Sequence, residues 1–242
     1  MTNSFSHSGK LYLLPTTLGD NDPLDVLPAS VQQQVKRIDF FIAENEKTAR
    51  RAIKKLAPEK SQPALNFSLL NKHTDPAEIP SFLNPCKEGQ DVGLLSEAGC
   101  PGVADPGAEV VKVAHNQGIQ VIPMVGPSSI LLAMMASGMN GQNFAFNGYL
   151  PIDKSERKSE IRALEKLSLE KNQAQSFIET PYRNNKMLED LIQVLSPATR
   201  ICVACDLTLA SEFIATRTAS EWSKTKVDLH KRPTIFILQK DY

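Results

Sequence analysis

The first half of the chain alternates short apolar runs with helix-spaced patterns, and few folds accommodate that alternation. Apolar runs fall at residues 10–14, 39–43, 66–70, 91–95 and 120–124, each of strand length. Between two of them, Ala49, Ala52, Ile53 and Leu56 recur at i, i+3, i+4 and i+7, with Lys and Arg on the opposite side. Ile79, Phe82, Leu83 and Cys86 repeat that spacing, bracketed by Pro80 and Pro85. Further helices are expected over 106–116 and from Gly126-Pro127-Ser128-Ser129 to 137. Strands separated by helical crossovers pair in parallel and are covered on both faces. The expectation is an α/β fold whose N-terminal parallel sheet is flanked by helices.

After Gly138 the pattern changes. Strand-like runs at 143–149, 174–179, 200–205, 213–217 and 234–239 have only two clear helices among them, over 155–167 and 181–195. Few crossovers imply a mixed or mainly antiparallel second sheet. The strand-free stretch 138–142 is the natural boundary. It gives an N-terminal α/β domain over 1–138 and a C-terminal α/β domain with a mixed sheet over 139–242. Asp75-Pro76, Asp105-Pro106 and Thr180-Pro181 each place a capping side chain ahead of a proline, which predicts three helix starts.

One loop stands out chemically. The run ending at Leu95 stops at Ser96-Glu97-Ala98-Gly99-Cys100-Pro101-Gly102-Val103-Ala104-Asp105-Pro106-Gly107. Small residues at the carboxyl end of a strand let a ligand approach the backbone. The glycines match neither G-x-G-x-x-G nor a P-loop, because Gly107 is followed by Ala108 rather than Lys.

Charge argues against a dedicated polyanion binder. Lys+Arg and Asp+Glu both total 27, so the formal net charge is zero. The amino terminus is polar with no signal-peptide core, and the apolar stretch near 130–136 is too short to span a bilayer. A cytoplasmic protein with no membrane association is expected. Cys202 and Cys205 form a C-x-x-C, but three residues apart on a strand they face opposite ways, so they read as core residues. His7, His73, His115 and His230 share no metal-ligand spacing, and no metal is expected.

Seven blocks, in order along nearly the whole chain, carry a specific likeness. They are Leu11-Tyr12-Leu13-Leu14-Pro15-Thr16-Thr17-Leu18-Gly19, Ala43-Glu44-Asn45-Glu46-Lys47, the Ser96 to Gly107 loop, and Pro123-Met124-Val125-Gly126-Pro127-Ser128-Ser129. Asn147-Gly148-Tyr149-Leu150-Pro151, Ile178-Glu179-Thr180-Pro181-Tyr182-Arg183 and Asp206-Leu207-Thr208 follow. The chain resembles the tetrapyrrole methylase-like (class III) S-adenosylmethionine-dependent methyltransferases. Within them it is most similar to the branch that methylates a cytidine ribose 2′-hydroxyl in small-subunit ribosomal RNA. The resemblance implies two α/β domains with the cofactor in a cleft between them, a homodimer, S-adenosylmethionine as methyl donor, and ribosomal RNA or the small ribosomal subunit as partner.

It also implies a site. The candidate cofactor-binding residues are Pro15, Ser96, Ala98, Gly99, Val103, Ser128 and Ser129 from the first half, with Ile178, Leu207 and Thr234 from the second. Glu44, Glu179 and Asp206 stand at the ends of apolar runs, where side chains border a cleft. Glu179 with Arg183, four apart across a helix start, is the preferred acceptor-positioning pair, and Glu44 is the other candidate catalytic acid. Lys47, Arg50, Arg51, Lys54 and Lys55 read first as a solvated helix face and second as a phosphate-binding flank.

The chain departs from that branch at several blocks. Glu44-Asn45-Glu46-Lys47 stands for Glu-Asp-Thr-Arg, Thr180-Pro181-Tyr182-Arg183 for Ser-Pro-His-Arg, and Cys205-Asp206-Leu207-Thr208-Leu209 for Arg-Glu-Leu-Thr-Lys. Two alternatives therefore stay open: a tetrapyrrole or other small-molecule acceptor, and a cofactor-binding homologue without catalysis.

Overall fold

The computed structural model describes residues 8–241. His7 and most of the polar amino terminus lie outside the described residues. The chain separates into two compact units, one ending at Ser128 and the other beginning at Ser129.

The first unit runs β1 (Leu11–Leu14), α1 (Ala29–Arg37), β2 (Phe40–Ala43), α2 (Glu46–Leu56), β3 (Asn66–Leu69), α3 (Asn84–Lys87), β4 (Val92–Leu95), α4 (Gly107–Asn116) and β5 (Val121–Pro123). All pairings in its five-stranded sheet, ordered β3-β2-β4-β1-β5, are parallel. Strand side chains alternate between two cores. Leu14, Phe41 and Leu95 pack with Val31, Val35, Ile53 and Leu56 of α1 and α2. Leu11, Ile42, Val92 and Leu94 pack on the other face with Leu83, Val110 and Ala114. Each fully buried aliphatic or aromatic side chain contributes about 1.5–3 kcal/mol. The expected parallel sheet flanked by helices is what forms.

The second unit runs α5 (Ser129–Ser137), β6 (Phe144–Tyr149), α6 (Lys154–Lys171), β7 (Ala174–Ile178), α7 (Asn184–Val194), β8 (Arg200–Cys205), β9 (Phe213–Thr218), α8 (Ala219–Trp222) and β10 (Thr234–Gln239). Its sheet, ordered β6-β7-β10-β8-β9, is mixed: β6 and β7 are parallel and the other pairs antiparallel. The division after Ser128 falls ahead of the boundary expected after Gly138, because α5 packs on β8, β9 and β10. The Thr216 hydroxyl donates to the carbonyl of Ser137 at 2.8 Å, which holds the end of α5 to that sheet.

Several local expectations are corrected. The helix expected over 106–116 forms as α4 (Gly107–Asn116), but none of the three cap–proline pairs caps a helix. Asp105 accepts the backbone N–H of Gly102 and of Gly107 at 2.6 and 2.8 Å and so closes a loop, while α4 begins at Gly107 without a side-chain cap. Asp75 accepts only Ala77 N–H in a turn, and α7 begins at Asn184, beyond Thr180-Pro181. The helix expected around Ile79 to Cys86 is a 3-10 turn, Ile79–Leu83, running into the single turn of α3. Cys202 and Cys205 are free, buried core thiols. Burial pushes both above the ordinary thiol range. Among the described residues no helix is long and apolar enough to cross a membrane.

Candidate functional site

Because the first sheet is parallel, the carboxyl ends of β4, β1 and β5 lie side by side, and three small-residue loops, after Leu95, Leu14 and Met124, leave from one edge. They are laced together. Thr16 N–H donates to the Gly99 carbonyl at 3.0 Å, an isolated antiparallel bridge between the β1 and β4 loops. The Ser96 hydroxyl donates to the Gly99 carbonyl at 2.6 Å, and the Thr16 hydroxyl to the Ser96 carbonyl at 3.3 Å. The Cys100 thiol lies 3.4 Å from the Pro127 carbonyl in the third loop.

Two glycines make the lacing possible. Gly99 has φ +76, and a β-carbon there would come within 3.1 Å of Leu18 and 3.2 Å of the Pro127 carbonyl. A β-carbon at Gly126 would stand 2.3 Å from Pro15. Five of the first-half candidates, Pro15, Ser96, Ala98, Gly99 and Val103, therefore sit in two joined loops, and Ser128 closes the third. Pro15, Ser96 and Gly99 are buried, whereas Ala98 and Val103 are exposed. Ser129 is the first residue of α5 and opens the second unit. The small, backbone-rich cradle fits a bulky ligand held mainly by main-chain groups.

Glu44 follows β2 at the same edge of the first sheet. Burial raises its carboxyl above the ordinary glutamate range, and the charges of Asp105 and Glu97 raise it further.

In the second unit the antiparallel register gathers residues that are far apart in sequence. Ile235 pairs with Ile178 and Thr234 with Cys205, so the end of β7, the start of β10 and the end of β8 share one sheet edge. Ile178, Leu207 and Thr234 all fall there. The Glu179 side chain is 2% exposed and accepts the Thr180 N–H and the Arg183 guanidinium, both at 2.6 Å. The hydrogen bond to Glu179 raises Arg183 above its usual range. Arg183 Nε is buried without a partner among the described residues, so this guanidinium retains donor capacity. The pair thus forms across a turn rather than a helix start.

Sequence reasoning missed a second ion pair at this edge. Asp206 accepts Arg232 Nε at 2.7 Å and the Ser211 hydroxyl at 2.9 Å. Asp206 and Thr208 are both left-handed, at φ +51 and +71, and they bracket Leu207. Non-glycine residues adopt that conformation at a cost of about 1–3 kcal/mol each, and they cluster where backbone is held for a ligand. Nothing in the sequence distinguishes Arg232, since its pairing depends on the β8–β10 register. Among the described residues no group of three or more His, Cys, Asp or Glu is placed to hold a metal ion.

A family model described as Tetrapyrrole (Corrin/Porphyrin) Methylases matches residues 10–222. The chain belongs to that family. Its curated relatives in the tetrapyrrole methylase family include the "Ribosomal RNA small subunit methyltransferase I" of Leptospira borgpetersenii serovar Hardjo-bovis (strain L550). That protein is 34% identical over 96% of this chain and 88% of its own length. The protein of the same description from Bacillus subtilis (strain 168) is 33% identical over 90% of this chain and 70% of its own. Among solved structures, the methyltransferase CobJ matches with a TM-score of 0.62 at 16% identity, covering 96% of this chain and 95% of that one. Cobalt precorrin-4 methyltransferase CbiF matches at 0.60, also at 16% identity, covering 99% and 98%. These likenesses show the shared fold. The chain is a tetrapyrrole-methylase-family methyltransferase, a family whose methyl donor is S-adenosylmethionine.

Proposed function

We propose that this methyltransferase transfers a methyl group to a ribose 2′-hydroxyl of small-subunit ribosomal RNA. The observation that carries the RNA reading is the likeness, at 33–34% identity over at least nine-tenths of the chain, to proteins described as ribosomal RNA small subunit methyltransferases. The reading includes a homodimer acting in the cytoplasm.

Bound S-adenosylmethionine supplies a methyl group already activated on a sulfonium, so the chain's own residues have two tasks. The first is placement. Main-chain groups of the Pro15, Ser96 to Gly99, Val103 and Ser128 loops hold the donor. Correct alignment of acceptor and donor removes about 7–11 kcal/mol of entropic barrier in favourable systems. The second task is the proton. As the acceptor oxygen–carbon bond forms and the carbon–sulfur bond breaks, the hydroxyl proton passes to the Glu179 carboxylate. Arg183 holds that carboxylate and orients the acceptor through its spare donors. Glu44 borders the first-unit loops as an alternative proton acceptor.

The test uses small ribosomal subunits from a strain lacking the gene, with labelled donor. Wild type should methylate them, and Glu179→Gln should lower the transfer rate by about 10²–10⁴-fold, the range of general base catalysis, with calorimetric donor affinity retained. Donor binding without transfer to these subunits would point to a tetrapyrrole or other acceptor, or to a protein without catalysis. Absence of donor binding would remove the reading outright.

A further inference from the structure

A cavity of about 250 Å³ opens in the first unit between α2 and the loops after β1 and β4. The residues that matter in it are Thr17, Gly19, Asp20, Arg51, Lys55 and Glu97. Its anions are already engaged. Asp20 pairs with Lys55 at 2.5 Å, and Glu97 accepts the Thr48 hydroxyl at 2.7 Å. Its donors are not. Among the described residues Arg51 makes no hydrogen bond or ion pair, and the backbone N–H groups of Thr17, Leu18, Gly19 and Asp20 donate to nothing. The neighbouring cations differ. Arg50 is held by Glu46 and the Gln62 carbonyl and lies 4.7 Å from the centre of the Phe67 ring, and Lys54 donates to the Pro58 carbonyl. Of the α2 cations, Arg51 combines a guanidinium without a hydrogen-bond partner with a place on this cavity wall, its charge acting there on Asp20, which Lys55 already holds.

A cluster of unused donors around a planar guanidinium matches a group that only accepts hydrogen bonds and carries negative charge, which is a phosphate. The carboxylates of Asp20 and Glu97 disfavour a free dianion and leave room for a singly charged phosphodiester. Ser96 and Thr16 wall the cavity and also belong to the laced loops, so the phosphate would lie beside the donor-binding backbone. We propose that this cavity binds a phosphodiester of the acceptor RNA, with Arg51 and the N–H groups of 17–20 as its donors. The inference rests on the RNA reading above and assigns that reading a contact on the first unit.

The experiment measures fluorescence anisotropy of a labelled single-stranded fragment of small-subunit ribosomal RNA against potassium chloride. It compares wild type, Arg51→Gln and Arg51→Lys, with calorimetric donor affinity as the control for the neighbouring loops. Arg51→Gln should weaken RNA binding several-fold and make the log K against log salt slope shallower by about 0.7, the single-strand value for one phosphate contact. Arg51→Lys should keep the slope, and donor affinity should be the same in all three. An unchanged slope in Arg51→Gln overturns the proposal, as does a parallel loss of donor affinity. Arg51-dependent capture of inorganic phosphate with RNA binding unaltered overturns it in favour of a free phosphate. Arg51-dependent RNA binding without methyl transfer would remove the RNA-methylation reading and leave the contact standing. Transfer with an unchanged slope would do the reverse.

Discussion

At the scale of single residues, Glu44 shows how the loop-bearing edge trades stability for chemistry. Burial, with Asp105 and Glu97 nearby, raises its carboxyl in the folded state. A raised acid binds its proton more tightly folded than unfolded, so its effect on stability is harmless below the ordinary value near 4.5. The cost grows as pH rises from the ordinary value through the folded one. Glu44→Gln removes the charge and keeps the shape. Thermal unfolding should therefore show the variant melting higher than wild type at pH 7, with the difference vanishing as pH falls past about 4.5. A variant no more stable at pH 7 would show that the carboxylate is adequately solvated. The sequence disclosed Glu44 because it follows an apolar strand. It could not disclose the cost, which comes first from burial and then from Asp105 and Glu97 arriving from a different strand's loop.

At the scale of elements, the second unit depends on a buried charge pair that its sequence hides. Arg157 of α6 donates to Asp190 of α7 through Nε and Nη2 at 3.0 and 2.6 Å, and its Nη1 reaches the Ile152 carbonyl at 2.7 Å. Both side chains are nearly fully buried. Removing one partner strands a charge, which costs about 3–5 kcal/mol, whereas replacing both with apolar groups is often neutral. Arg157→Met should thus lower the unfolding free energy obtained from denaturant titration by that amount, and Arg157→Met with Asp190→Leu should recover most of it. Equal losses in the single and double variants would mean that packing, not charge, ties α6 to α7. Read along the chain, Arg157 belongs to a run of charges that looks like solvated surface. Elements were more legible than contacts. β8 and β10 stand where their apolar runs place them, whereas α1 is absent from the sequence expectations although its buried Val31, Gln34 and Val35 stand at i, i+3 and i+4. Its presence also follows from topology, since β1 and β2 are parallel and need a crossover. The capping signals failed because Asp and Thr before proline also close turns, and the Asp105 carboxylate accepts the N–H groups of Gly102 and Gly107. The joining of the β1, β4 and β5 loops was legible as three small-residue loops. The edge shared by Ile178, Leu207 and Thr234 was not, because antiparallel register is written in pairing rather than in spacing.

At the scale of the whole molecule, equal numbers of cations and anions limit how an RNA acceptor could be held. Lys+Arg and Asp+Glu both number 27, and Arg50, Lys55, Arg157, Arg183, Arg200 and Arg232 are all engaged by carboxylates within the fold. A cation committed to a carboxylate releases no counterion from RNA, so those six neutralise no phosphate. Each phosphate contact to a single strand steepens the log K against log salt slope by about 0.7, and three or four contacts give a slope of roughly −2 to −3. Wild-type binding to a small-subunit RNA fragment, titrated from low to physiological salt, should fall in that range. Recognition would then rest on shape and on hydrogen bonds at the loop-bearing edges rather than on bulk charge. A slope near −7 would require about ten phosphate contacts. That many cations would have to be gathered on one surface of a chain whose formal charges balance, and the loop edges would then be secondary to a basic face.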